Sequence, residues 1–171
     1  MSRAVLSLGS NLGDRYEYLR VAVDGLRDWL VAVSGVYETP PWGDADQPPY
    51  LNAVAIVVDA TAAAPDWLAR GRELERRAGR QRSERRYGPR TLDVDVIAAW
   101  DDAGDPIIST DPELTLPHPR AHLRAFVLRP WLDVEPCARL PGHGWLHDLV
   151  LTEPVAADLG GLVARPDISL G

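Results

Sequence analysis

The order in which strand-type and helix-type periodicities alternate between Arg3 and Trp100 leaves this chain few folds to choose from. Arg3 to Leu8 is an apolar run that alternates weakly and suits a buried strand, and the Gly9 to Asp14 stretch after it is dense in turn and helix-start residues. From Arg15 to Leu30, apolar side chains at Tyr18, Leu19, Ala22, Val23, Leu26, Trp29 and Leu30 follow helical spacing. Val31 to Thr39 returns to strand-type residues, and Tyr50 to Asp59 is a second strand. Pro65 suits a first helical position, and Trp67, Leu68, Leu74 and Ala78 carry a helix that ends near Gly79. Thr91 to Trp100 is again a strand.

Strand, helix, strand, strand, helix, strand is the split β-α-β order of ferredoxin-like folds. The predicted class is therefore α+β, a ferredoxin-like α/β sandwich with a βαββαβ core, a mainly antiparallel sheet and helices on one face. C-terminal additions follow: an acidic turn at Asp101 to Asp105, a short edge strand at Pro106 to Ser109, a break at Leu116 to Arg120, a helix from Ala121 to Leu132 interrupted at Pro130, and a short helix at Trp145 to Leu151. With 171 residues, one domain is expected over 1–155. Residues 156–171 carry little pattern and read as a tail, a surface strap or partly disordered, without a catalytic role.

Two neighbouring stretches concentrate charge. Val94, Val96 and Ile97 make the segment after Thr91 a strand, so Asp93 and Asp95 point to one face, roughly 6 to 7 Å apart along it. Alone, such a pair reads as the solvated side of an amphipathic strand. Its context points elsewhere: nine of eighteen arginines fall between Arg70 and Arg90, against Glu73, Glu75 and Glu84, in a chain whose net charge is -7. That concentration suggests a local polyanion site, with carboxylates for a hard divalent cation and guanidinium forks for phosphate oxygens. The chain has no lysine. This excludes the lysine of a phosphate-binding P-loop, the ATP-binding lysine of protein kinases and any Schiff-base route, and leaves arginine and metal to handle phosphates. Gly9 and Gly13 do not match a dinucleotide-binding glycine pattern and read as a tight turn. Cys137 is the single cysteine, which leaves no intrachain disulfide and no cysteine-based zinc cluster. The absence of a long apolar run and of a leader-like N-terminus predicts a cytoplasmic protein with no membrane contact.

The proline-rich stretch Pro40 to Pro49 is long for a structureless loop inside a domain, which marks it as functional. Immediately after it, Tyr50 and Asn52 share a strand face, one offering a stacking surface and the other an amide with donors and acceptors. His118, between two prolines, could be structural or functional on these grounds alone.

Four blocks carry a resemblance: Leu8-Gly-Ser-Asn-Leu-Gly-Asp-Arg15; Tyr37-Glu-Thr-Pro-Pro-Trp-Gly43 with Asp46-Gln-Pro-Pro-Tyr-Leu-Asn52; Arg86-Tyr-Gly-Pro-Arg-Thr-Leu-Asp-Val-Asp95; and Leu116-Pro-His-Pro-Arg120 with Arg124-Ala-Phe126. In identity, order and spacing they closely resemble the hydroxymethyl-dihydropterin pyrophosphokinases of folate biosynthesis, over about residues 4 to 135. The resemblance implies transfer of pyrophosphate from ATP to the hydroxymethyl group of a reduced pterin, releasing AMP. It implies that Asp93 and Asp95 bind two Mg2+ ions and, with Arg80 and Arg90, form the catalytic set. Tyr50 and Phe126 would sandwich the pterin, Asn52 would bind its edge, and Thr39, Pro40, Pro41 and Trp42 would line the pocket. Glu75, Arg80, Arg82, Arg86, Arg90, Thr115, His118 and Arg124 would form the ATP side, and Ser83, Glu84, Arg85 and Tyr87 would belong to a mobile loop with Arg86. Tyr87, Ser83 and Glu113 depart from well-known bacterial members, which carry tryptophan, a basic residue and arginine there, so this chain brings less positive charge to the nucleotide.

Two other classes compete. A ferredoxin-like sheet can bind single-stranded nucleic acid through aromatics on an open face, but the aromatic-rich signature is missing and the net charge opposes a long polyanion. Another two-metal nucleotide enzyme, such as a cyclase, would share the Asp93/Asp95 pair. Neither needs a proline-rich loop followed by Tyr50 and Asn52. Small-molecule substrates and no nucleic-acid partner are therefore expected; a monomer is the expected state, though nothing in the sequence fixes it.

Overall fold

The computed structural model describes residues 1–41, 43, 46–79 and 90–171. The predicted core order is present: β1 (Ser2–Ser10), α1 (Arg15–Leu26), β2 (Leu30–Val33) and β3 (Tyr37–Thr39), β4 (Tyr50–Asp59), α2 (Ala64–Arg77) and β5 (Asp93–Asp101). The main sheet runs β10-β3-β4-β1-β5, with β2 also on β4 and β10 (Val163–Ala164) at its edge. Every pairing in it is antiparallel.

Helix α1 stops at Leu26, before the expected Leu30, because Leu30 is taken by the sheet, opposite Val57 of β4. A 3-10 turn at Arg27–Trp29 makes the transition. The expected strand from Val31 to Thr39 is split into β2 and β3. Ser34 carries the ladder across the gap: its N–H donates to Val54 O at 2.9 Å, and its hydroxyl accepts from Val54 N at 2.8 Å.

Strand alternation divides the interior in two. Ala4, Leu6 and Leu8 of β1, Leu51, Ala53, Ala55 and Val57 of β4, and Val94 and Val96 of β5 face α1 and α2. Trp67 of α2 is fully buried there, and its indole N–H donates at 2.9 Å to Ser2 Oγ, which itself donates to Ala62 O at 2.8 Å, so the polar atom is satisfied inside the core. The opposite face carries Val5, Val54, Ile56, Ile97 and Ala98. A register shift between Val5 and Leu6 lets β5 turn both Ile97 and Ala98 to that side.

Helices on one face alone do not describe this sheet. Its second face is covered by α3 (Ala125–Val134), α4 (Leu146–Leu149) and α5 (Val155–Leu159), through Val127, Leu128, Trp131, Leu146 and Val155. The predicted interruption at Pro130 does not occur, and α3 passes through it to Val134. A proline inside a helix costs about 3 kcal/mol. Burying Leu128 and Trp131 is worth roughly 1.5 to 3 kcal/mol each, enough to offset it.

The predicted edge strand at Pro106 to Ser109 is reduced to a single bridge, Trp100 to Pro106. The chain instead forms a separate hairpin, β6 (Ser109–Asp111) with β7 (Leu114–Leu116). A second small hairpin joins β8 (Arg139–Leu140) and β9 (Gly144–Trp145). Beyond Glu153 the patternless sequence gives α5 and then β10, which pairs with β3, while Leu170 is buried in the first core cluster. Among the described residues, no helix is long and apolar enough to cross a membrane.

Candidate active site

The second face of the sheet changes character along its strands. At one end Val5, Val54, Ile56 and Ile97 are sealed under α3. Two to four residues further along each strand the same face presents Ser7 and Gly9 of β1, Asn52 and Tyr50 of β4, and Asp95 and Asp93 of β5. The register sets them side by side, Asn52 and Asp93 both opposite Gly9, and Asp95 opposite Ser7. The N-terminal end of α3 and the segment before it supply the facing wall, with His118, Arg120, Arg124 and Phe126. Between these surfaces lies a cleft of about 190 Å³.

One end of the cleft is aromatic and amide-lined. Tyr50 and Phe126 border it together with Thr39 and Pro40. Asn52 is only 3% exposed, and its Nδ2 donates to Thr39 Oγ1 at 2.6 Å, which fixes the plane of the amide. Gly9 makes this possible: a Cβ there would lie 2.9 Å from Asn52 Oδ1 and 3.4 Å from the Tyr50 ring. Asn11 ties the surrounding loops together. Its Nδ2 donates to Gln47 Oε1 at 2.8 Å and Pro48 O at 2.9 Å, while its Oδ1 accepts from Arg90 N at 2.8 Å.

The other end is charged. Arg90 Nη1 donates to Asp93 Oδ1 at 2.8 Å, and Arg124, 7% exposed at the start of α3, has its Nη1 3.7 Å from Asp95 Oδ2. The Arg124 guanidinium also lies 5.6 Å from the centre of the Phe126 ring, so one residue touches both ends. Burial, and after it the neighbouring Asp93 carboxylate, push Asp95 up to about 7 against the opposing pull of Arg124 and Arg90. A like-charged pair held in a partly dry cleft is what a hard divalent cation relieves. Among the described residues no group of three or more His, Cys, Asp or Glu side chains is disposed to hold a metal by itself. Two carboxylates with phosphate oxygens and water making up the rest is the ligand pattern of Mg2+, and the donor set fits that ion.

His118 is held by its backbone N–H to Ile97 O at 2.7 Å. Burial, then Arg124 and Arg120, lower its imidazole to about 4, so it is neutral near pH 7. Its Nδ1 accepts from Arg120 N at 3.1 Å, which puts the proton on Nε2 and makes that atom a donor.

Of the residues expected from sequence, Thr39, Pro40, Tyr50, Asn52, Arg90, Asp93, Asp95, His118, Arg124 and Phe126 line this one cleft. Pro41 lies on an adjoining cavity shared with Pro40 and Phe126. Glu75 is on α2, where Oε1 accepts from Val94 N at 3.0 Å, between the two carboxylate positions of β5. Thr115 is on β7 with its hydroxyl donating to Asp111 O at 3.0 Å. Glu113 pairs with Arg72. Trp42, Arg80, Arg82, Ser83, Glu84, Arg85, Arg86 and Tyr87 lie outside the described residues. Ser7, Gly9 and Arg120 also line the cleft and were not expected there. Their signal was present for Gly9 and Arg120, which sit inside the matching blocks, but Ser7 is visible only once β1 is known to lie beside β5.

The family model of 7,8-dihydro-6-hydroxymethylpterin-pyrophosphokinase matches residues 5–136. The chain is 54% identical over 149 residues to the 2-amino-4-hydroxy-6-hydroxymethyldihydropteridine pyrophosphokinase of Mycobacterium leprae, covering 84% of this chain and 78% of that one. It is 51% identical over 148 residues to the enzyme of that name from Mycobacterium tuberculosis, with the same coverage. The Methylorubrum extorquens enzyme is 42% identical over 160 residues, covering 90% of this chain and 96% of its own. Among solved structures, wild-type Plasmodium falciparum HPPK-DHPS with pterin and p-hydroxybenzoate superimposes at TM-score 0.65 and 12% identity, over 95% of this chain and 45% of that one, which is a likeness of fold. This chain spans less than half of that solved protein. The chain belongs to the 7,8-dihydro-6-hydroxymethylpterin-pyrophosphokinase family.

Proposed function

We propose that this chain transfers pyrophosphate from ATP to 6-hydroxymethyl-7,8-dihydropterin, with Mg2+, in folate biosynthesis. The observation that carries the reading is the meeting, in one cleft on one sheet face, of an aromatic and amide end with a carboxylate and arginine end. The hydroxymethyl oxygen forms a bond to the β-phosphorus of ATP while the bond from that phosphorus to the α,β-bridging oxygen breaks. AMP leaves, the pterin diphosphate remains, and the hydroxyl proton passes to water; no side chain is assigned as general base.

Tyr50 and Phe126 hold the pterin ring between them, with Thr39, Pro40, Pro41 and Trp42 around it, and Asn52 reads its edge with an amide already oriented by Thr39. Asp93 and Asp95 hold two Mg2+ ions. Bound there, Mg2+ supplies charge neutralisation and alignment for the triphosphate. Arg90 and Arg124, now on the two carboxylates, turn their forks to phosphate oxygens, joined by Arg80, Arg82 and Arg86. His118 donates from Nε2 to the same anion without adding a charge. Glu75 and Thr115 complete the nucleotide side. The protein works on these small molecules as a cytoplasmic monomer, without nucleic acid.

The test is product analysis after incubation with ATP, Mg2+ and 6-hydroxymethyl-7,8-dihydropterin. AMP and pterin diphosphate in equal amounts are expected; ADP as the sole nucleotide product, or no pterin-dependent turnover, overturns the reading.

A further inference from the structure

The C-terminal tail is built onto the wall of the aromatic end, although the family match stops at residue 136. Strand β10 pairs with β3, Val163 opposite Glu38 and Ala164 opposite Tyr37, and Arg165 N adds a bond to Val36 O at 2.8 Å. Strand β3 ends in Thr39, the residue that orients Asn52. Side chains reinforce the pairing. Arg165 Nη1 donates to Glu38 Oε2 at 2.8 Å, and the same oxygen receives Arg15 Nη2 at 3.3 Å. Arg15 Nη1 in turn donates to Pro49 O at 2.9 Å. Glu38 and Pro49 stand at the two ends of the proline-rich loop, so a single Arg165, Glu38 and Arg15 chain fastens both its arms.

A second contact lies behind the aromatic end. Ala157, Gly161 and Leu162 of the tail close a cavity of about 190 Å³ against Pro40, Pro41 and Phe126. A Cβ on Gly161 would be 3.4 Å from Pro40 Cγ, so the tail backbone passes close to that proline.

We infer that residues 157–165 are a positioning element for the pterin-binding wall, with Arg165 its principal side chain, acting through Glu38 and Thr39 on Asn52. This rests on the pterin reading above. A wall held in place before the ligand arrives spares the ligand the cost of ordering it. The dependence is confined to one substrate, because the tail reaches β3 and Pro40 and does not line the Asp93, Asp95 end of the cleft.

The experiment measures Kd for 6-hydroxymethyl-7,8-dihydropterin and, separately, for a non-hydrolysable ATP analogue with Mg2+, in the full chain and in Arg165→Ala and Gly161→Val. Both variants are expected to weaken pterin binding by about fivefold or more and to leave the nucleotide within about twofold, since small displacements of a positioned group cost affinity where that group acts. Arg165→Lys, which keeps a cation for Glu38, is expected to recover part of the loss. Unchanged pterin affinity in both variants, or equal weakening of both substrates, overturns the inference while the functional reading stands. Failure of the wild-type chain to bind the pterin overturns the reading and the inference together.

Discussion

In the centre of the main sheet, β1, β4 and β5 supply both faces, yet the two faces do different work. The face toward α1 and α2 is apolar without a break from Leu8 and Leu51 to Ala4 and Val57. The face toward α3 is apolar only as far as Val5, Val54 and Ile97, and then becomes Ser7, Gly9, Asn52, Asp93 and Asp95. The first face holds the fold together. On the second, a row of positions that could have been buried apolar surface carries polar groups and opposed carboxylates, the stability cost expected where a site is built into a scaffold. The contrast predicts that substitutions on the first face act on stability, and those at the polar end of the second act on chemistry.

The largest effect is expected for Trp67→Ala, which empties a fully buried site and removes the indole N–H that donates to Ser2 Oγ. It should cost about 3 to 5 kcal/mol in denaturant unfolding, with substrate affinities kept in the fraction that remains folded. A small stability loss with a large loss of affinity would break the comparison.

Asp93→Asn should lower turnover by about a hundredfold or more, the usual size of a lost electrostatic contact at a transferring group. Its melting temperature should stay close to wild type. Near-wild-type turnover in the folded variant contradicts the proposed metal-binding role of Asp93.

Gly9→Ala sharpens the contrast at a single atom, since the added Cβ meets Asn52 Oδ1 at 2.9 Å. It should weaken pterin binding by about tenfold through a shift of roughly an ångström or less in the amide. A calorimetric titration with unchanged pterin affinity would show that Asn52 does not read the ring.

The smallest effect is a pH dependence measured without metal. Asp95 is raised to about 7 in the folded state, so ionising it works against folding and stability is lost as pH rises from about 4 to 7. His118, lowered to about 4, acts with the opposite sign: the unfolded chain binds more protons, and stability is gained as pH rises from about 4 to 6.5. The two tend to cancel in the wild type. Asp95→Asn removes only the first, so the melting temperature of the variant minus that of the wild type should grow between pH 4 and 7. A constant difference contradicts the strained-carboxylate account.

Much of this arrangement was legible in the sequence because it rests on local periodicity. A spacing of two put Asp93 with Asp95, and Tyr50 with Asn52, on shared strand faces, and the order of helices and strands gave the sheet its core. What periodicity does not contain is which strands become neighbours. Ser7 became a cleft residue only through its register opposite Asp95. Helices were expected at Ala121 to Leu132 and Trp145 to Leu151, where α3 and α4 lie, but periodicity does not say which face of a sheet a helix covers, and α5 fell in the patternless stretch, so the double cover was hidden. Strand β10 was invisible for a related reason: a two-residue edge strand is held by backbone bonds and by Arg165, and carries no apolar alternation.

The most direct test of the central claim is a crystal structure of the chain with Mg2+, a non-hydrolysable ATP analogue and 6-hydroxymethyl-7,8-dihydropterin. The pterin ring should lie between Tyr50 and Phe126 with its edge on Asn52, and the metal density should contact Asp93 and Asp95, bringing the hydroxymethyl group to the β-phosphorus. Ligands bound elsewhere, or metal density that avoids both carboxylates, would contradict the assignment of this end of the sheet as the site of transfer.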